Sequence, residues 1–274
     1  MTETGTRLDP ILGSVRSRLE ARQTEKPLVS LRAEVGRNVG SDGDTIRGRE
    51  RFVSALKEGP LSIIAECKRI SPSLGPLSGE SDLLERATNY AKGGASALSI
   101  LTEEDHFGGS LEDLQRVEAA NLPKLRKDFI LDEYMVWEAA VAGADAILLL
   151  AVCLGDSQLS ELRALAAELN LAVLLEAHNA YELEHALAVE PDCVGVNARD
   201  LTTFEIDFKT VEKLLPQVDS RFVRVAESGV DSWEGLERAV AAKADAVLCG
   251  TALMRDSSLL SGWTSRIAEE GLGV

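Results

Sequence analysis

Eight short apolar runs recur along the chain, and their spacing limits the fold more than any other feature. They are 61–65 (LSIIA), 95–101 (ASALSIL), 122–126 (LPKLR, the least apolar), 144–152 (ADAILLLAV), 171–175 (LAVLL), 193–197 (CVGVN), 222–226 (FVRVA) and 244–249 (ADAVLC). Their starts lie 34, 27, 22, 27, 22, 29 and 22 residues apart. That is too far for hairpins and suits a strand, a crossover helix and two short connections. The intervening segments carry helical spacing, as in Leu83, Leu84, Ala87, Tyr90 and Ala91, in Leu159, Leu162, Leu165, Ala166 and Leu169, and in Leu183, Ala186 and Leu187. The same short pattern enters three of the runs: Gly94-Ala95-Ser96-Ala97, Gly143-Ala144-Asp145-Ala146 and Lys243-Ala244-Asp245-Ala246. Each reads as a helix end, a tight turn and a strand entry, with Gly supplying a left-handed cap in the first two. Eight such units predict an α/β fold, a (β/α)8 TIM barrel. A doubly wound open sheet is the alternative. It usually carries a Gly-rich turn after its first strand, where this chain has KRISPS.

A helical extension precedes the barrel. Leu8, Ile11, Leu12, Val15 and Leu19 share one helical face, with Asp9-Pro10 read as an N-cap followed by Pro at the first helical position. GSDGDT at 40–45 reads as a loop, and a second short helix is expected over 49–57. The expectation is one domain over 1–274, of which 1–58 is the extension. The extension either caps the barrel bottom or lies near its mouth. The net charge of −16, with no Lys/Arg run longer than two, argues against a nucleic-acid partner. An anionic ligand would need a local basic pocket. Cys67, Cys153, Cys193 and Cys249 form no CxxC and sit in or beside apolar runs, so buried free thiols in a reducing cytoplasm are expected. No apolar run approaches the ~18 residues of a membrane span, and no signal-peptide pattern opens the chain.

In such a barrel the active site lies where the strands end. Residues two apart on a strand point the same way, so Glu66 and Lys68 would enter the mouth together. The following strands end in Thr102-Glu103-Glu104, Lys127-Asp128, Glu176 with His178, Asn197 with Arg199, Glu227-Ser228-Gly229 and Gly250-Thr251; the fourth ends apolar, with Leu148 and Leu150. Any one polar end could be a solvated rim residue. Seven of eight around one mouth make a site. Small residues after the last two strands, with a short helix starting near Thr251, suit an anion such as phosphate. Glu176 and His178 could suggest a metal, but no other His stands at a strand end, and a metal site is not expected. Glu103-Glu104-Asp105 reads as a solvated loop.

These strand ends, in this order, resemble indole-3-glycerol phosphate synthases of tryptophan biosynthesis. The resemblance covers nearly the whole chain and rests on Ile64-Ala-Glu-Cys-Lys-Arg-Ile-Ser-Pro-Ser73, Leu101-Thr-Glu103, Phe107-Gly-Gly-Ser110, Leu125-Arg-Lys-Asp-Phe-Ile130, Leu175-Glu-Ala-His178, Gly195-Val-Asn-Ala-Arg-Asp-Leu201, Ala226-Glu-Ser-Gly-Val230 and Gly250-Thr-Ala-Leu-Met-Arg255. It implies closure of the pyrrole ring of 1-(2-carboxyphenylamino)-1-deoxyribulose 5-phosphate, with loss of carbon dioxide and water and no cofactor. By the same resemblance, Lys127 is the general acid for ring closure. Glu176 and Lys68 serve the dehydration, and Glu66 accepts a proton or orients Lys68. Asn197 and Arg199 hold hydroxyls and developing charge, and Ser71 meets the substrate carboxylate. Ser228, Gly229, Gly250 and Thr251, with Glu227 beside them, hold the phosphate end. Phe107, Phe129, Leu148, Leu150, Leu201, Leu248 and Pro72 wall the aromatic ring. Departures are mild: Cys67, expected to face outward, stands where an aromatic or aliphatic residue is common, and Thr251 where Glu or Ser is. The implied partner is a small phosphorylated substrate; no nucleic acid or membrane partner is expected, no fused domain is expected because the barrel takes up the whole chain, and the expected unit is a monomer. Two readings compete: a sugar-phosphate isomerase on the same fold, and a non-catalytic binding subunit, which would lack at least one of Lys68, Lys127 and Glu176.

Overall fold

The computed structural model describes residues 8–38, 48–71, 75–76, 83–201 and 203–272. Each of the eight runs supplies a strand: β1 (Ser62–Cys67), β2 (Ala97–Leu101), β3 (Lys124–Lys127), β4 (Ala146–Leu150), β5 (Ala172–Ala177), β6 (Cys193–Asn197), β7 (Val223–Glu227) and β8 (Ala246–Cys249). They pair in parallel in chain order. β8 returns to β1, with Leu248 opposite Ile64, and closes a (β/α)8 TIM barrel.

Alternation along each strand sorts the side chains into two cores. Ile64, Leu125, Leu148, Leu174, Val225 and Leu248 belong to an inner core that fills the lumen. Ile63, Leu98, Ile147, Val173, Val194 and Val247 belong to an outer core under the helices. Cys67 is buried in that outer core, facing away from Glu66 as expected. β3 looked weak in sequence because its outward positions are charged. Lys124 pairs with Glu118, and fully buried Arg126 pairs with Asp128 and Glu138. Partnered this way, the charges cost far less to bury than they would alone. The repeated turn also holds: Gly94 and Gly143 take φ of 87° and 76°, and Lys243 takes 64° without being glycine. Cys67, Cys193 and Cys249 are buried free thiols, whereas Cys153 is only half-buried.

Among the described residues the extension holds three helices: α1 (Leu8–Glu25), α2 (Leu28–Asn38) and α3 (Gly48–Lys57). Leu8 is already helical, so Asp9 stands in the first turn of α1 rather than capping it. α2 had not been anticipated: Leu31 is buried but Val29 is 72% exposed, too narrow an apolar stripe to read. The 40–45 loop lies outside the described residues. Of the two positions open to the extension, it occupies both. Phe52 and Leu56 of α3 are fully buried and join Ile64, Ala97, Ala146 and Val223, closing the bottom of the lumen. Their burial stabilises this end by about 1.5–3 kcal/mol each. α1 lies at the opposite end, where Leu8 and Ile11 line the mouth.

α1 is fastened by polar contacts. Arg22 Nε donates to Glu138 at 2.7 Å, and the Tyr134 hydroxyl meets the carbonyls of Arg22 and Lys26 at 3.0 and 2.9 Å. Arg18 pairs with Glu104 and Asp105. The acidic loop is therefore not simply solvated. Glu103 is 4% exposed and accepts the backbone N–H groups of Asp105, His106 and Phe107, folding its two neighbours toward α1. Among the described residues, no helix is long and apolar enough to cross a membrane.

Candidate active site

A cavity of about 390 Å³ opens where the strands end. Its size suits a small organic ligand. Its lining includes Glu66, Lys68, Phe107, Lys127, Phe129, Leu148, Leu150, Glu176, Asn197, Arg199, Leu201, Glu227, Ser228, Gly229, Leu248, Gly250 and Thr251. Ser71 is described only as a strand residue paired with Gly75, and Pro72 lies outside the described residues.

Two buried acid–base groups occupy the floor. In the first, Lys68 Nζ lies 2.6 Å from Glu66 Oε1. Burial opposes ionisation of Glu66, but Lys68 and Lys127 outweigh it and hold the carboxyl below its usual range. Gly250 makes the space: a Cβ there would stand 2.3 Å from Glu66 Oε1 and 3.0 Å from Lys68 Nζ. In the second, Lys127 Nζ lies 3.1 Å from Glu176 Oε2 and 3.8 Å from Glu227 Oε2. Asn197 Nδ2 donates to Glu176 Oε1 at 3.0 Å. Burial works against the Lys127 charge, yet Glu176, Glu227 and Glu66 hold its proton above the ordinary lysine range.

Glu176 and Glu227 share one space and diverge. Burial disfavours the Glu176 charge, but Lys127, His178 and Asn197 reverse that and keep it well below the usual carboxylate range. Glu227 is pushed well above that range, by burial first and by Glu176 second. Like charges this close do not both ionise. The site therefore favours the ionised form of Glu176 and the protonated form of Glu227.

The rim is built differently. Ser228 and Gly229 take successive left-handed φ of 63° and 77° at the end of β7, and Gly250 caps the short helix Thr251–Arg255. Arg199 donates from Nη1 to the carbonyl of Phe204 at 3.1 Å, while its backbone N–H donates to Asn197 Oδ1 at 3.0 Å. Burial lowers the pKa of Arg199. Phe107 and Phe129 face each other across 6.2 Å, tilted by 40°. Lys68, Lys127, Arg199 and Arg255 line the cavity among the carboxyl groups of Glu66, Asp128, Glu176, Glu227 and Asp231, so the cations that an anionic ligand would need in so acidic a chain stand singly beside acids.

Sequence reasoning missed several parts. Leu8 and Ile11 come from the extension, and Phe204 and Ile206 from the loop after β6. Gly195 is another: a Cβ there would stand 2.0 Å from Glu227 Oε1, so β6 must lack one for Glu227 to enter. A glycine inside an apolar run was the available signal, since it often marks close approach. His178, weighed as half of a metal pair, instead lies between two carboxylates, with Nε2 3.0 Å from Glu176 Oε1 and Nδ1 2.9 Å from Glu182 Oε2. Among the described residues no group of three or more His, Cys, Asp and Glu is gathered as a metal shell.

Opposed acids and bases at the strand ends of a closed parallel barrel define a class: a (β/α)8-barrel enzyme arranged for proton transfer at its mouth. Within that class, the chain belongs to the indole-3-glycerol phosphate synthase family, whose model matches residues 8–261. It is 44% identical over 250 residues to the indole-3-glycerol phosphate synthase of a Nocardioides species, covering 91% of this chain and 93% of that one. It is 41% identical over 260 residues to that of Paenarthrobacter aurescens, covering 92% of each. The fold alone is shared with N-acetylmannosamine-6-phosphate 2-epimerase from Clostridium perfringens, at a TM-score of 0.60 and 17% identity, over 78% of this chain and 95% of that one.

Proposed function

We propose that this chain is an indole-3-glycerol phosphate synthase, a carboxy-lyase that turns 1-(2-carboxyphenylamino)-1-deoxyribulose 5-phosphate into indole-3-glycerol phosphate. The observation that carries the reading is the buried Lys127 ammonium held between Glu176 and Glu227. Ring closure joins the aromatic carbon bearing the carboxylate to the ribulose carbonyl carbon. The carbonyl oxygen must take a proton as that bond forms, and Lys127 supplies it. Carbon dioxide then leaves, and its bonding electrons restore the aromatic ring. Dehydration removes a proton from the adjacent carbon and expels the new hydroxyl as water. Glu176, the ionised carboxylate, takes the first, and Lys68, oriented by Glu66, protonates the second. No electrons enter or leave overall, so the chemistry calls for no redox cofactor.

Ser228, Gly229, Gly250 and Thr251 hold the phosphate, and Lys68 can reach toward it. Ser71 meets the carboxylate of the incoming substrate. Asn197 and Arg199 hold the hydroxyls, and Phe107, Phe129, Leu148 and Leu248 wall the aromatic ring. The working unit is a cytoplasmic monomer, a reading that sedimentation of the purified chain tests.

The decisive assay follows indole fluorescence after mixing enzyme and substrate in excess EDTA, with Lys127→Ala alongside. The wild type is expected to generate signal, and the variant to lose about 10²–10⁴-fold in rate, the usual share of a general acid. A silent wild type would shift the reading to a sugar-phosphate isomerase on the same fold. Equal rates would keep the reaction and remove Lys127 as its acid.

A further inference from the structure

The reaction leaves one buried imidazole beside the carboxylates unused. His178 follows β5 with its side chain 8% exposed, and it lies between Glu176 and Glu182. Glu182 is itself fixed. It accepts the backbone N–H of His178 at 2.8 Å and the Asn179 amide at 2.6 Å, while Asn179 caps the helix Ala180–Ala188 by accepting the N–H of Glu182 at 3.0 Å. This reciprocal cap explains Glu182 as a helix-start residue. It does not explain an imidazole pressed between two carboxylates.

We propose that His178, clamped by Glu182, is a positioning residue that fixes Glu176 as the base of the site and leaves the proton of the acid pair on Glu227. The inference rests on the functional reading above. The two edges of Glu176 are not alike: Oε1 meets His178 and Asn197, and Oε2 meets Lys127. Glu227 Oε1, by contrast, is buried with no hydrogen-bond partner among the described residues. His178 Nε2 stands 3.0 Å from Glu176 Oε1 without the alignment of a full hydrogen bond, and the close contact and the imidazolium charge both favour the ionised carboxylate. Lys127 of β3 and Glu227 of β7 face the same space, and the Cys153 thiol after β4 feels both Glu176 and Glu182. Burial would strip the imidazole of its proton, but Glu176 and Glu182 outweigh it and push the His178 pKa up to about 10. The cation therefore persists across the neutral range, next to the carboxylate that acts as the base.

The test compares His178→Asn, His178→Lys and Glu182→Gln in the full chain. His178→Asn should lower kcat by about tenfold, with KM within about threefold, the pattern of a group that acts on the reacting state rather than on binding. Without the cation, Glu176 becomes more basic, so the acid limb of the kcat profile should move to higher pH. His178→Lys should restore that limb. Glu182→Gln should lose activity as pH rises through a range where the wild type is flat. An unmoved limb in His178→Asn, whatever its kcat or melting temperature, leaves His178 a structural role and overturns the proposal. Imidazole ¹⁵N resonances, assigned with the Asn variant, read the clamp independently of turnover. The wild-type ring should stay protonated to about 10, and a midpoint near the ordinary ~6.5 would also overturn it. A wild type that forms no indole product overturns the functional reading instead.

Discussion

At the scale of single residues, the divergence of Glu176 and Glu227 has a consequence for stability. Glu176 and Glu66 are held low, so each contributes stability that is present above the unfolded carboxyl value and lost as pH falls through its own folded value. Glu227 is held high, mainly by burial, and so behaves oppositely. Its contribution is full below the unfolded value of ~4.3 and is lost as pH rises through its elevated folded value. Glu227→Gln removes only that slope. Urea unfolding from pH 5 to 8 should therefore show the variant gaining on the wild type as pH rises, by at most about 1.4 kcal/mol per unit. A constant difference would mean that Glu227 is already ionised. The sequence exposed the Glu66–Lys68 pair because a strand's two-residue alternation puts both on one side. It hid the purpose of Gly195, because the group that needs the space arrives from a different strand.

At the scale of elements, the barrel was legible throughout, and the extension only in part. Eight runs at regular spacing leave few alternatives to a closed parallel sheet. Helical spacing in 8–19 announces an apolar face but not which end of a barrel it meets. That depends on long-range partners: Glu104, Asp105 and Glu138 for α1, and lumen residues for α3. The two helices should consequently fail in different ways. Phe52→Ala leaves a hole under the lumen and should cost about 3–5 kcal/mol by chemical denaturation, with KM little changed. Arg18 is 47% exposed where it pairs with Glu104. Its replacement by Ala should cost under about 1 kcal/mol yet raise KM, because it loosens the helix that carries Leu8 and Ile11. If both variants changed stability and KM together, that division of labour would be wrong.

At the scale of the whole molecule, charge and cavity oppose each other. A chain of net −16 repels an anionic substrate at long range, while the basic groups of the mouth attract it at short range. Salt screens the long-range part first, over a Debye length of about 8–10 Å near physiological strength. Raising salt from about 10 to 150 mM, concentrations that bracket this range, should therefore raise kcat/KM. A fall would mean that the local basic field already dominates the approach. The plug formed by Phe52 and Leu56 carries a further consequence. With the lower end filled, the barrel is a blind well rather than a passage. The phosphorylated sugar, the departing gas, the released water and the finished indole all use one doorway, and α1 forms part of its frame. Entry and exit are then sequential: the indole product must clear the threshold before the next substrate enters.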